Sequence, residues 1–237
     1  RSVHGAHIGA HAHLLNRPSC AKARVMTRFA ELIDGYRRFR ATGWQQQRDR
    51  WDELAEGQSP KVMVIACSDS RVEPSQIFDT NPGEIFVVRN VAALVPPFET
   101  TPGRHGVSAA LEFAVQFLKV EEIVVMGHGM CGGCHAALHR TMEGAEPGRG
   151  GFIADWIALL DDASADVRAA HPDYDNRVAG RAMEMAGVKV SLDNLRTFPC
   201  IEEKEKRGTL RLRGAFFAIS DGVLHILDEK TGEFSPA

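Results

Sequence analysis

Cys67 ends the apolar run Val62-Met63-Val64-Ile65-Ala66 and is followed at once by Asp69 and Arg71, a carboxylate and a guanidinium. Further on, His128 and Cys131 stand three residues apart in Gly127-His128-Gly129-Met130-Cys131-Gly132-Gly133. Glycines on both sides leave that backbone free to bend the two side chains towards one point. One sulfur from the first stretch, with a nitrogen and a sulfur from the second, makes a Cys2His set. Zinc suits that softness and number, and three protein ligands leave a fourth position for water or substrate, which marks a catalytic ion more than a structural one. Taken alone, the first stretch also fits a small buried thiol beside a surface ion pair. The second has rivals too: Cys131-Gly132-Gly133-Cys134-His135 matches the spacing for covalent haem attachment and contains a CxxC that could be a redox pair. Haem attachment needs export, and no convincing secretory signal is present. Cys134 and His135 are therefore expected to pack within a helix, and Cys200 to be a buried neutral thiol.

The elements that must hold these groups follow from hydrophobic periodicity. Val62 to Ala66 is unbroken and rich in β-branched residues, as in a strand buried on both faces of a parallel sheet, and Ile123-Val124-Val125-Met126 reads the same way. Both ligand groups then lie where a strand stops, at the carboxyl edge of the sheet, where open α/β folds place their ligands. Glu84 to Arg89 is expected as another strand, and Gly208 to Ile219 and Val223 to Leu227 as a pair joined by a turn at Asp221-Gly222. Helices are expected over the stripe Phe29, Leu32, Ile33, Tyr36 and Phe39, over Gln45 to Glu56, and from Pro74. Further helices are expected over Val107 to Leu118, Cys134 to Met142, Ile153 to Ser164 and Asp175 to Arg196, with loops at Asn90 to Arg104 and Gly144 to Gly151. Strands alternating with helices, without repeat or linker, imply an α/β fold. It is expected as a single domain over residues 26–237, a mainly parallel central β-sheet flanked by helices, with an N-terminal helical arm. Residues 1–25 hold four histidines and no acidic residue, and are expected to be a disordered or non-native extension.

Composition narrows the class. The chain has 237 residues, 44% hydrophobic and 25% charged, with a net charge of −3, so no bulk electrostatic pull towards nucleic acid or anionic membrane is expected. No apolar run approaches the roughly 20 residues of a membrane-spanning helix. The five cysteines are odd in number and too sparse for a disulfide scaffold, which points to a reducing compartment, expected to be the cytoplasm, with some cysteines on metal.

Cys67-Ser68-Asp69-Ser70-Arg71, followed some sixty residues later by His128-Gly129-Met130-Cys131-Gly132-Gly133, resembles the paired motifs of the β-class carbonic anhydrases. The resemblance runs from about Met26 to the C-terminal tail. It implies one Zn2+ per chain on Cys67, His128 and Cys131, with Asp69 and Arg71 as the dyad beside the metal; in a closed form of some members that aspartate itself takes the fourth zinc position. It implies reversible hydration of carbon dioxide to bicarbonate and a proton by zinc-bound hydroxide, oriented by the dyad. It also implies a homodimer or homotetramer. Gln58 matches a substrate-side glutamine of plant-type members, and Phe86 and Val91 match apolar pocket walls, some of which reach in across a dimer interface. Phe113 stands where that subtype has tyrosine, so a hydroxyl is lost, and Gly132 is expected beside the substrate. The other subtype has a tryptophan three residues before the first ligand, part of a bicarbonate regulatory pocket; Val64 stands there, so the open, unregulated form is expected. The alternatives are a carbon disulfide or carbonyl sulfide hydrolase on the same zinc site, and a non-enzymatic zinc- or bicarbonate-binding member. His105 is a candidate proton shuttle or a plain surface histidine.

Overall fold

The computed structural model describes residues 27–237, and the expectation for residues 1–25 lies outside them. The described residues fall into two compact units that divide after Arg48. In the first, helix α1 (Arg28–Ala41) starts at Thr27, whose hydroxyl accepts from the Ala30 amide, and α2 (Gly43–Gln46) follows. The expected stripe is there, with Phe29, Leu32, Tyr36 and Phe39 exposed.

The second unit is an α/β domain. Helix α3 (Arg48–Glu56) leads into β1 (Val62–Cys67), and α4 (Pro74–Ile77), with proline at its start, leads to β2 (Ile85–Asn90). Helix α5 (Gly106–Glu112) precedes β3 (Glu122–His128), and α6 (Gly132–His139) begins within the second motif, directly after Cys131. Then come α7 (Gly151–Ile157), α8 (Asp161–Ala170), α9 (Arg177–Arg196), α10 (Pro199–Lys206) and the strands β4 (Arg211–Ala218), β5 (Val223–Asp228) and β6 (Glu233–Pro236). The six-stranded sheet runs β2-β1-β3-β4-β5-β6, parallel through β4 and antiparallel beyond it.

Strand β1 is covered on both faces, as its apolar run requires. Met63 and Ile65 pack with Leu111, Val115, Val188, Leu192 and Leu195 on one side; Val64 and Ala66 pack with Met126 and Ala215 on the other. Burying each such aliphatic side chain stabilises the fold by about 1.5–3 kcal/mol.

Four departures from the sequence reading have local causes. The helix expected over Val107 to Leu118 changes to a π-helix over Phe113–Leu118, closed by left-handed Lys119 and by Val120 N–H donating to the Ala114 carbonyl six residues back. That wide closure holds the last turn open. The helix expected over Ile153 to Ser164 breaks into α7, a 3-10 turn at Ala158–Leu160 and α8. Helix α10, opened by Pro199 at its first turn, and the short edge strand β6 were not anticipated.

Candidate metal centre

The register of the parallel strands brings the two motifs together. Cys67 lies opposite Asn90 at the end of β1, and His128 ends β3, the strand paired with β1 on its other side. The chain then turns through Gly129 and Met130, and Met130 takes a left-handed φ of 58°, unusual for a side chain of its size. This turn swings Cys131 back beside Cys67, with the two sulfurs 4.0 Å apart. The ligand atoms of Cys67, His128 and Cys131 all lie within 4.8 Å of one another, and all three residues are buried.

The donor chemistry fits a zinc ion. His128 Nδ1 lies 2.9 Å from the Gly129 carbonyl, so it donates there and Nε2 carries the lone pair. That Nε2 is buried and has no hydrogen-bond partner among the described residues, an arrangement that costs free energy unless a metal takes the lone pair. Both thiols are pushed up to about 12: Cys67 by hydrogen bonding with the Cys131 thiol and then by burial, Cys131 by hydrogen bonding with Cys134 and then by burial.

The Asp69–Arg71 pair stands at the edge of this centre. Arg71 Nε donates to Asp69 Oδ1 at 2.9 Å and its Nη2 to Oδ2 at 2.7 Å, a two-pronged contact reinforced by the Arg71 amide at 3.0 Å. These bonds hold the Asp69 carboxyl well below the usual carboxylate range. Asp69 Oδ2 is 4.0 Å from His128 Nε2, so the carboxylate faces the centre without occupying it. Arg71 Nη2 also donates to the Met130 carbonyl at 3.0 Å, tying the first motif to the second.

Not every expected site residue gathers here. Val91 follows the end of β2 and packs on Gly133, where an added Cβ would stand 2.8 Å from Val91 Cγ1; only glycine fits that approach. Gly132 is exposed, with open space where a side chain would project. Phe86 instead pairs with Met63, four residues before Cys67, and contacts Phe113 at 5.9 Å between ring centroids. Gln58 is exposed ahead of the amino end of β1, in the stretch whose neighbours Gly57 and Ser59 line a cleft with Gly83 and Glu84. Within one chain, Gln58, Phe86 and Phe113 thus lie towards the far end of the strands from Cys67. His105 is bound within its own loop, to the Thr101 carbonyl at 2.9 Å. Cys134 packs within α6 as expected, whereas His135 is exposed and Cys200 only half-buried.

Two residues that brace the site escaped the sequence reading. Arg89, on β2, donates from Nε to the Cys67 carbonyl at 2.9 Å and from Nη2 to the Asp69 carbonyl at 2.7 Å, while Nη1 pairs with Glu73. Glu184, on α9, accepts from the Cys131 amide at 3.0 Å, and burial pushes its carboxyl up. Each leaves a sequence trace: Arg89 is the one cation in an apolar strand, and Glu184 falls on the buried face of α9 with Met183, Val188 and Ser191.

Comparisons with known proteins agree with this geometry. The profile of a family described as carbonic anhydrase matches residues 62–224. The chain is 36% identical over 193 residues to the chloroplastic β carbonic anhydrase 5 of Arabidopsis thaliana, covering 81% of this chain and 62% of the relative. It is 35% identical over 199 residues to β carbonic anhydrase 3 of the same plant, covering 83% and 76%. Among solved structures, the β-carbonic anhydrase CcaA superposes with a TM-score of 0.82 at 28% identity, over 89% of this chain and all of that one. A tetrameric β-carbonic anhydrase of Sordaria macrospora superposes with a TM-score of 0.71 at 28% identity, over 87% and 98%. Strand order, the buried Cys2His cluster and these matches agree, and the chain belongs to the β-carbonic anhydrase family.

Proposed function

We propose that this protein is a zinc enzyme that interconverts carbon dioxide and bicarbonate. The observation that carries the reading is the buried Cys67–His128–Cys131 cluster with an ionised Asp69, clamped by Arg71, at its open side. Zinc, when bound, supplies the Lewis acidity that makes water a nucleophile near neutral pH. Asp69, at the open side of the Cys67–His128–Cys131 cluster that would hold the ion, would accept a hydrogen bond from the attacking water and orient it towards carbon dioxide. Arg71 holds Asp69 ionised and keeps its Oδ2 4.0 Å from His128 Nε2, facing the centre without entering it, the open form of the site. Val91 and Gly132 form the near wall of the substrate space, where an uncharged gas needs no hydrogen bond.

Gln58, Phe86 and Phe113 serve the site of a second copy. Their distance from Cys67 in their own chain supports this, as do Phe113 and Phe117, which are exposed with rings stacked at 5.8 Å. A homodimer is then the smallest competent unit, in keeping with the tetrameric neighbour. The cytoplasmic assignment rests on the thiols: all four described cysteines are free, and the centre requires two of them reduced.

The deciding experiment measures zinc content and carbon dioxide hydration on one sample, beside turnover of carbonyl sulfide and carbon disulfide. One zinc per Cys67–His128–Cys131 centre with fast hydration is expected. Hydrolysis of the sulfur gases without hydration, or zinc binding without turnover of any of them, would overturn the assignment.

A further inference from the structure

Cys131 also borders a second group of side chains that could ligate. A cavity of about 900 Å³ is lined by Met130, Cys131 and Gly132 together with His135, His139 and Asp175. His135 and His139 are one turn apart on α6 and so share a face, with ring centroids 4.0 Å apart. His139 Nδ1 lies 3.0 Å from the His135 carbonyl; it must donate there, which leaves the lone pair of the neutral ring on Nε2.

That Nε2 is buried and makes no hydrogen bond among the described residues, although Asp175 Oδ1 stands 3.3 Å away. The two groups attract either when the ring takes a second proton or when a cation lies between them. Two ligands, each about 2.0–2.1 Å from a tetrahedral ion, stand about 3.3 Å apart. The observed gap therefore already matches the bite of one ion. Asp175 is highly exposed, and His135, also exposed, holds its ring beside that of His139 on the same helix face. The geometry points to a second divalent transition-metal site, of zinc, nickel or copper type, formed by His135, His139 and Asp175. It would fasten α6, which begins at the residue after Cys131, to the segment ahead of α9. The donor set contains no sulfur, so it differs in kind from the Cys2His centre.

The test uses the full chain with its first centre already loaded with zinc. Cobalt(II) is titrated in and followed by calorimetry and visible absorption, in the wild type, His139→Ala and Asp175→Asn. The wild type should bind one ion more per chain than His139→Ala, with d–d bands but no thiolate charge-transfer band. Asp175→Asn, an exposed change that leaves packing intact, should weaken that ion at least tenfold. The same stoichiometry and affinity in all three proteins would overturn the site, because histidines elsewhere in the chain bind equally in each. A thiolate band on the extra ion would overturn it too, by placing the ion on cysteine.

Discussion

Replacing Arg89 with methionine keeps an unbranched apolar stem and removes all of the side chain's donors. The Cys67 carbonyl loses this donor, the Asp69 carbonyl keeps only the Val72 amide, and Glu73 loses its ion-pair partner. A hydrogen bond from a charged donor contributes about 1.5–3 kcal/mol, and water reaching the partly exposed Arg89 offsets some of that, so a net loss of about 2–4 kcal/mol is expected. For a domain of this size each kcal/mol lowers Tm by about 2–4 °C, which puts the fall at roughly 5–15 °C. The functional effect should exceed the thermal one. The two carbonyls flank the turn that carries one metal ligand and one half of the dyad, and a displacement there disturbs both. Thermal unfolding of the zinc-loaded variant, with turnover expressed per bound zinc, separates the effects. A Tm within about 1 °C of wild type, or unchanged turnover per zinc, would refute the bracing role.

Asp69→Asn should retain zinc but lose turnover on the order of 100-fold, since it removes the carboxylate that orients the nucleophile; turnover at the wild-type rate would end that assignment. Cys131→Ser should lose zinc and activity together, as metal analysis beside a hydration assay would read, and full activity in a zinc-free variant would undo the mechanism. Cys67 and Cys131 both hold their protons to about 12 before metal binds, so zinc loading should release about two protons per ion, and apparent affinity should rise about 100-fold per pH unit near neutrality. A rise of tenfold or less per unit would mean that only one thiol is displaced. Asp69 has its pKa depressed, so its ion pair with Arg71 persists as pH falls through the ordinary carboxylate range; an acid limb of activity with a midpoint near 4 would contradict that. Val64, buried in β1, predicts inhibition by bicarbonate that is simple and not cooperative.

The parts of the site that lay open in the sequence are those fixed by strand ends. Val62–Cys67 and Glu122–His128 are recognisable because short, continuous apolar runs rich in β-branched residues suit doubly covered strands, and the residue type at each terminus states its chemistry. The braces were harder to see, because Arg89 and Glu184 act through the Cys67 and Asp69 carbonyls and the Cys131 amide, groups present in every residue. The π-turn at Phe113–Leu118 escaped for a related reason: it arises from how Lys119 and Val120 close the helix, while the apolar period of the segment stays that of an ordinary α-helix. Gln58, Phe86 and Phe113 illustrate the converse, residues legible by motif whose place relative to Cys67 only the strand register reveals.

The ligands of the metal centre come from two neighbouring parallel strands, with Cys67 and Cys131 separated by 64 positions along the chain. In an unfolded chain, closing a loop of that length carries an entropy cost, and only the His128–Cys131 pair is near enough to hold an ion locally. Parallel pairing of β1 with β3 meets that cost through the sheet, independently of the ion. Newly made chains should therefore compete poorly for cellular zinc until the sheet is assembled, and capture it in a late step. The strand pairing then acts as a checkpoint, and metal uptake followed in time serves as a clock for completion of the fold.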